Sequence, residues 1–264
     1  MRIIDFHTHA FPDAIAPGAI ATLEAQGDTA AHYDGTVAGL LGTMDEAAIA
    51  VSVVQPVATK PGQVRAINDW VAALASDRIV PFGAMHPGFP DPAAEIARMR
   101  SLGLRGFKMH PEYQSFEPHE DRMQPILAVA AEHRMIAFFH AGADIGFDTV
   151  RGTARSFAEV LDAHPGLTVV LAHMGGFRQW DAVAESLAGR DVWLDTAYTP
   201  GHLPAEEFLA LVRNHGAERV LFGSDGPWTD PAAEIASIRE LGLTRIELAG
   251  ILGDNADRLL AAHE

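Results

Sequence analysis

The feature that most constrains the fold is a short apolar run that recurs eight times along the 264 residues. The runs are rich in β-branched and aromatic residues, as buried parallel strands are. They occupy residues 3–6, 49–56, 79–84, 104–109, 135–139, 167–172, 192–195 and 219–223. Because a helix-like segment follows nearly every run, we predict an α/β fold in one domain over residues 1–264, a parallel eight-stranded (β/α)8 TIM barrel.

Segments with helical periodicity separate the runs, and several end in glycine, histidine or a basic residue. The clearest are residues 92–102, 123–133, 157–164 and 205–215. Near the C-terminus, an apolar segment at 246–252 precedes Asp254 and Asn255, which we predict to cap a last helical turn through Leu260. Residues 11–43 are dominated by Pro, Gly and Ala, and they predict a helix and a loop over the barrel mouth.

Charge and hydropathy narrow the class of partner. The formal net charge is −16, with 19 Lys and Arg against 35 Asp and Glu. Phosphate backbones and anionic membranes attract basic surfaces, so we expect no nucleic acid and no membrane partner, and a small molecule as substrate. No apolar stretch reaches about 20 residues and no charged-then-apolar leader opens the chain, so we expect a cytoplasmic protein.

Cysteine is absent, whereas histidine occurs 13 times. The absence of Cys excludes disulfides, thiolate nucleophiles and thiolate metal ligands. Any metal in this protein must therefore be held by nitrogen and oxygen. A mixed set of His and Asp ligands favours zinc, with manganese or iron as alternatives.

The first apolar run leads into the sequence DFHTH at residues 5–9. In a strand the side chains at i and i+2 point the same way, so His7 and His9 present two imidazoles to one point in space. A metal site can begin in this way, although a single such pair is more often solvated or structural. Further ligands at equivalent positions along the chain would decide between the two.

Side chains capable of chemistry follow four other strands. Lys108 and His110 end the fourth strand, His140 the fifth, His173 the sixth and Asp225 the eighth. The carboxyl ends of barrel strands converge on one face, where residues usually serve chemistry. Taken singly, each histidine is equally well explained as a hydrogen-bonded strand end. Together they predict a catalytic metal site at the C-terminal face, with an open position for water.

Six motifs carry a resemblance to a known family. They are IDFHTH (4–9), GFKMHP (106–111), FHAG (139–142), LAHMGG (171–176), LFGSD (221–225) and GDNA (253–256). The chain resembles, from end to end, the metal-dependent amidohydrolase superfamily and within it the amidohydrolase-related (amidohydrolase 2) group that includes aminocarboxymuconate-semialdehyde decarboxylase. The resemblance implies His7, His9, His140 and Asp225 around one divalent metal. It implies that His173 is an acid/base group beside this metal or a ligand of a second one.

Lys108 has two alternative roles. In some binuclear members of the superfamily, a carboxylated lysine near this place bridges two metals. Alternatively, Lys108 stays a cation and holds a substrate carboxylate with His110 beside it, since strand alternation points both side chains one way. We favour the cation, because the group that the chain resembles usually has one metal.

The predicted function is hydrolysis of a small, carboxylate-bearing amide, ester or lactone. The metal activates water, Asp225 takes its proton, and His173 stabilises charge on the attacked carbonyl oxygen. Decarboxylation of an aromatic or unsaturated acid needs the same residues and is the first alternative. The short length of the chain slightly favours the hydrolase. A catalytically silent metal-binding barrel is the second, and the presence of both Asp225 and His173 disfavours it.

Substrate contacts are also predicted at loop positions. The candidates besides Lys108 and His110 are His86, Arg151, Arg178, Tyr198 and Trp228. For each of them an ordinary rim or surface residue is the simpler explanation. The cations in this group indicate a carboxylate-bearing substrate. Members of the resembled family commonly dimerise, which implies a homodimer.

Overall fold

Parallel strands form the wall of a barrel in the computed structural model, which describes residues 2–264. Met1, the first residue of the predicted domain, lies outside this range. The strands of the described residues are β1 (Ile4–Thr8), β2 (Val51–Val54), β3 (Ile79–Pro81), β4 (Gly83–Ala84), β5 (Gly106–Met109), β6 (Ile136–Phe139), β7 (Thr168–Leu171), β8 (Trp193–Asp195) and β9 (Val220–Leu221). The predicted strand at 79–84 is interrupted at Phe82 and forms β3 and β4, so the eight predicted strand positions are all present.

Hydrogen bonds close the barrel at both of its seams. Strand order is β1-β2-β3 and β4-β5-β6-β7-β8-β9, with every neighbouring pair parallel. At the interruption, the Phe82 amide donates to the Val54 carbonyl at 3.0 Å. At the other seam, the Phe6 amide donates to the Phe222 carbonyl and the Asp225 amide to the His7 carbonyl, both at 2.8 Å. Closure therefore brings the end of the first strand beside Asp225.

Helices follow most of the strands. They are α1 (Ala16–Gly27), α2 (Val37–Glu46), α3 (Val64–Ala72), α4 (Pro92–Ser101), α5 (Pro111–Gln114), α6 (Gln124–Glu132), α7 (Ala154–Ala163), α8 (Trp180–Ser186), α9 (Ala205–His215), α10 (Pro231–Glu240), α11 (Arg245–Ala249) and α12 (Asn255–Ala261). The four predicted helices are confirmed as α4, α6, α7 and α9. α7 begins three residues early, because the Thr153 hydroxyl accepts from the Ser156 amide at 3.1 Å and caps it there.

The segment at 11–43 contains more helix than predicted. α1 lies along the barrel mouth, as expected, but a second helix, α2, begins at Val37. The Thr36 hydroxyl caps α2 by accepting from the Gly39 amide at 2.9 Å. The many small residues of this segment weaken the helical pattern, because alanine and glycine mark neither face of a helix.

The predicted cap at Asp254 and Asn255 is wrong. Asp254 has helical dihedral angles and makes no capping bond, because Gly250–Asp254 form a π-helical stretch that joins α11 to α12. The Asn255 side chain instead donates to the Ala217 and Val220 carbonyls, both at 2.8 Å. The tail helix is capped earlier, where the Thr244 hydroxyl accepts from the Glu247 amide.

The core lies in two apolar clusters. The smaller one joins residues of the barrel wall, among them Phe6 and Phe138 of the strands and Phe82 between β3 and β4, to Leu259 of α12. The larger one fills the space between the strands and the surrounding helices. No helix within residues 2–264 is long and apolar enough to cross a membrane.

Candidate active site

Three of the predicted metal ligands converge at the end of β1. The Nε2 atoms of His7 and His9 lie 3.3 Å and 3.1 Å from Oδ1 of Asp225. Gly223 makes this approach possible, because a Cβ at this position would lie 2.8 Å from the His7 Cβ. Strand alternation in DFHTH and barrel closure thus bring together two imidazoles and one carboxylate.

The hydrogen bonds of both histidines leave Nε2 free to bind a metal. His7 Nδ1 lies 2.8 Å from Oδ2 of Asp195, and His9 Nδ1 lies 2.8 Å from the Gln55 carbonyl oxygen. Both oxygens only accept, so each Nδ1 carries the proton and each Nε2 keeps a lone pair in the neutral ring. Burial, and after it the Lys108 charge, lowers the pKa of His7 well below its usual value and keeps this ring neutral.

This donor set fits a divalent cation. Both nitrogen lone pairs lie within 3.3 Å of Oδ1 of Asp225, which is repulsive unless a positive charge lies among them. His7, His9 and Asp225 supply the nitrogen and oxygen ligands that zinc and manganese accept. Asp195 and the Gln55 carbonyl orient the two rings in the way that outer partners orient metal-binding histidines.

His140, the fourth predicted ligand, lies apart from this group. Its Nε2 lies 3.1 Å from the Ala143 carbonyl oxygen, and its Nδ1 lies 3.1 Å from Nε2 of His173. Both ring nitrogens are therefore engaged, and ligation by His140 requires its ring to rotate. His140 as a ligand stays a prediction.

His173 lies between two hydrogen-bond partners. Its Nδ1 lies 2.8 Å from the Ala197 carbonyl oxygen, and its Nε2 lies 3.1 Å from His140 Nδ1. The Ala197 carbonyl only accepts, so Nδ1 of His173 carries a proton. Burial and the neighbouring His110 lower the pKa of His140 well below its usual value. The Ala197 carbonyl thus fixes the ring orientation in which Nε2 of His173 faces His140.

Lys108 lies beside the convergent group rather than in it. Its Nζ is 3.2 Å from Nε2 of His7 and 4.0 Å from the centre of the Phe138 ring. Burial lowers the pKa of Lys108 to about 7, and the charges of Asp195 and Asp225 oppose this shift. The face of an aromatic ring stabilises an ammonium group, in keeping with the cationic alternative for Lys108.

A second group surrounds His110. The ring of His110 stacks on that of His140 at 4.1 Å between centres, and its Nε2 lies 3.2 Å from Oδ2 of Asp144. Burial lowers the pKa of His110 well below its usual value. Stacked rings direct their nitrogen lone pairs in parallel rather than at one point, so this group positions His140 better than it would bind an ion.

Sequence reasoning missed Asp195 and Asp5. Asp195 ends β8 and accepts from His7 Nδ1 at 2.8 Å, from the His173 amide at 2.9 Å and from the Ala197 amide at 3.0 Å. Asp5 accepts from the hydroxyl of Ser224 at 2.6 Å and fixes the turn that carries Asp225. Burial raises the pKa of Asp195 to about 6 and that of Asp5 to about 7. An acidic residue within an apolar run was the available signal for both.

Four predicted site residues have left-handed backbone conformations. The φ angles are 59° for His173, 58° for Arg178, 54° for Tyr198 and 68° for Asp225. Residues other than glycine rarely adopt this region, and such strain concentrates where function fixes a side chain.

A cavity of about 980 Å³ opens over these groups. Four of the predicted substrate-binding residues line it, namely Lys108, His110, Tyr198 and Trp228, together with the predicted metal and acid/base residues.

The other three predicted substrate-binding residues lie outside the cavity lining. His86 accepts from the Gly88 amide at 2.9 Å through Nδ1. Arg151 lies 3.6 Å from the buried carboxylate of Glu112, and Arg178 lies over the ring of Phe177 beside a second, smaller cavity. Loop folding decides where these side chains lie, and the sequence carries no signal of it.

The family follows from a comparison with family models. The model described as Amidohydrolase matches residues 4–261, nearly the whole chain. The chain belongs to the amidohydrolase family. Proteins of this family are enzymes with a TIM barrel that bind a divalent metal, so the predicted family, fold and enzymatic nature are confirmed. A search of curated proteins found no match to this chain.

Solved structures share the fold of this chain at low identity. An uncharacterized TIM-barrel protein from Bordetella bronchiseptica has a TM-score of 0.80 at 18% identity, with 99% of each chain covered. 5-Carboxyvanillate decarboxylase LigW from Sphingomonas paucimobilis has a TM-score of 0.74 at 18% identity, covering 98% of this chain and 99% of that one.

A further structure was solved with a metal. 5-Carboxyvanillate decarboxylase from Novosphingobium aromaticivorans, complexed with manganese and 4-hydroxy-3-methoxy-5-nitrobenzoic acid, has a TM-score of 0.74 at 16% identity. The alignment covers 98% of this chain and 96% of that one. At such identities the likeness shows the fold alone.

Proposed function

We propose that this protein is a metal-dependent hydrolase of a small, carboxylate-bearing amide, ester or lactone. The observation that carries the proposal is the convergence of the His7 and His9 lone pairs on Asp225 Oδ1. The Asp225 side chain is 13% exposed and lines the cavity, so water reaches it. Hydrolysis needs this access, since water is its second substrate.

His7, His9 and Asp225 are the residues that would hold one divalent metal, and His140 would join them if its ring rotates. Zinc is the proposed ion because nitrogen and oxygen ligands of this kind suit it, with manganese and iron as alternatives. A bound ion supplies Lewis acidity at the carbonyl and lowers the pKa of water toward neutrality.

Asp225 is the proposed base. Its Oδ1 faces the two imidazoles, whereas Oδ2 accepts no hydrogen bond from residues 2–264. Oδ2 is therefore open to take a proton from the attacking water and to return it to the leaving group.

His173 is the proposed donor to the carbonyl oxygen of the substrate. Its Nε2 lies 3.1 Å from His140 Nδ1 and lines the cavity, and a protonated Nε2 would donate to that oxygen. A carbonyl oxygen that gains negative charge is a stronger acceptor, so the bond from His173 strengthens as the reaction proceeds. The Ala197 carbonyl fixes the ring in this orientation.

Decarboxylation is the second candidate, and Lys108 is the observation that favours it. Its Nζ lies 3.2 Å from Nε2 of His7 and lines the cavity, so it could hold a substrate carboxylate beside the metal ligands. In this case Asp225 or His173 would deliver a proton to carbon. The partner in either reaction is a small molecule.

Metal content and turnover test the proposal together. Elemental analysis of protein purified without chelator should give about one ion per chain, and the His7→Ala/His9→Ala variant should lose it while the far-UV spectrum stays unchanged. Hydrolysis is assayed on aryl esters, anilides and lactones, and carbon dioxide release on hydroxybenzoic acids.

Asp225→Asn should lower kcat by about 100-fold or more on any substrate that is hydrolysed. Asp254→Asn, an exposed aspartate on the tail helix, serves as control and should keep full activity. Near-normal kcat in Asp225→Asn would remove its role as base. Carbon dioxide release without hydrolysis would replace the proposal by the second candidate.

A further inference from the structure

The cavity is much larger than the reactive group requires. Its volume of about 980 Å³ is at the upper end of the range for sites that enclose drug-sized ligands, about 300–1,000 Å³. His7, His9 and Asp225 line only one part of it, at the strand ends. Another part of the wall comes from α1 and α3.

α1 has two apolar faces. Ala16 and Ile20 are buried against the protein. On the cavity side lie Ile15, just before the helix, then Ala19 and Leu23, each four residues after the last. Ile15 is 55% exposed and lines the cavity, so an apolar group bound there would cover it.

α3 has the same organisation. Val64 and Val71 are buried on one face. Ala66, Ile67 and Trp70 line the cavity on another. We call the part of the cavity lined by Ile15, Ala19, Leu23, Ala66, Ile67 and Trp70 the α1/α3 chamber.

Charge is absent from this chamber. Among residues 2–264, the charged side chains that line the whole cavity are Lys108, Asp144 and Asp225, and all three lie at or near strand ends. No arginine lines it, because Arg151 and Arg178 lie elsewhere. A carboxylate placed in the chamber would lose its hydration without gaining a cation, which is costly.

We propose that the α1/α3 chamber binds an uncharged apolar group, an alkyl chain or ring, on the non-reacting side of the substrate. This inference rests on the proposed function for the position of the reacting carbonyl. The substrate class is then an ester, amide or lactone with a hydrophobic substituent of several carbons. Burial of such a group against α1 and α3 supplies binding energy away from the reacting atoms.

Straight-chain hydroxamates of two to eight carbons are the first probe, because the hydroxamate head binds a metal and the tail reports on the chamber. Dissociation constants are measured by calorimetry on the metal-loaded protein. Each added methylene should tighten binding about threefold to fourfold beyond the first few carbons.

Ala19→Phe fills the chamber and should reduce the dependence of hydroxamate affinity on chain length. Binding of acetohydroxamate, the shortest member of the series, should stay unchanged. Ala66→Phe, at an exposed position of α3, repeats the test should the first variant fail to fold. Ala21→Phe is the matched control, since Ala21 is exposed on the same helix and outside the cavity lining. It should keep the dependence of the unmodified protein.

A second series separates this inference from the proposed function. 1-Butanol, 1-hexanol and 1-octanol carry no metal-binding head and are titrated after dialysis against chelator. If hydroxamates fail to bind but alkanols tighten with length, the metal site is wrong and the chamber stands. Affinity independent of length in both series, or a slope that Ala19→Phe and Ala66→Phe leave intact, overturns the chamber.

Discussion

Asp195→Asn should weaken metal binding while leaving the fold intact. In the unmodified protein Oδ1 of Asp195 accepts from the amides of His173 and Ala197, and Oδ2 accepts from Nδ1 of His7. Asparagine has the same shape, and its Oδ1 can keep both amide bonds. Its NH2 group, however, meets the N–H of His7 at 2.8 Å, donor against donor.

The imidazole of His7 can avoid this donor–donor contact by changing its tautomer, so that Nε2 carries the proton in place of Nδ1. The remaining lone pair then points to the introduced amide group and no longer to Asp225, so the ring loses its metal-binding nitrogen. Loss of an outer partner of a metal-binding histidine typically costs 10-fold to 100-fold in affinity, or about 1.4–2.8 kcal/mol. Folding should change less, because burial already disfavours the Asp195 carboxylate and raises its pKa to about 6.

Competition with a chromophoric chelator measures this affinity for zinc and for manganese at fixed pH. Asp191→Asn is the control, because Asp191 is exposed just before β8 and should bind metal as the unmodified protein does. Far-UV spectra and urea unfolding check that Asp195→Asn is folded. Unchanged affinity in a folded Asp195→Asn protein would refute the assignment of the His7 proton to Nδ1.

Two further predictions concern packing and buried charge. Gly223→Ala should cost about 1–3 kcal/mol of stability and weaken metal binding, since the new Cβ lies 2.8 Å from that of His7. The control Gly42→Ala places its Cβ in open space and should change neither property. Equal melting temperatures for the two variants would contradict this prediction. Burial, followed by repulsion from neighbouring carboxylates, raises the pKa of Glu234 from 4.5 to about 9. Because the folded value is the higher one, the stabilising effect is complete below about pH 4.5 and is lost as the pH rises toward 9. Between pH 5 and 7 the unmodified protein should lose about 2–3 kcal/mol relative to Glu234→Gln in urea unfolding. The exposed control Glu240→Gln should follow the unmodified protein, and parallel pH curves for all three would show that Glu234 ionises normally.

Much of the barrel could be predicted because its strands are buried on both faces. Continuous apolar runs identify such strands without any knowledge of their partners. The interruption at Phe82 and the helix α2 escaped prediction for opposite reasons. The first depends on how two sheet segments meet, and the second has too many small residues to show a periodic face.

The sequence by itself determined that His7, His9 and Asp225 would share one face of the barrel. This follows from the geometry of parallel strands, whose carboxyl ends lie together whatever the loops do. It also determined the ligand chemistry, since a chain without cysteine can offer a metal only nitrogen and oxygen.

Only the tertiary structure decided which partners orient these ligands and what surrounds them. Asp195 reaches His7 across the barrel, His140 turns toward His173, and Arg151 and Arg178 lie outside the cavity. The sequence likewise could not predict which side chains of α1 and α3 line the cavity. Contacts of this kind depend on loop paths and side-chain packing between distant segments, and the local periodicity of a sequence records neither.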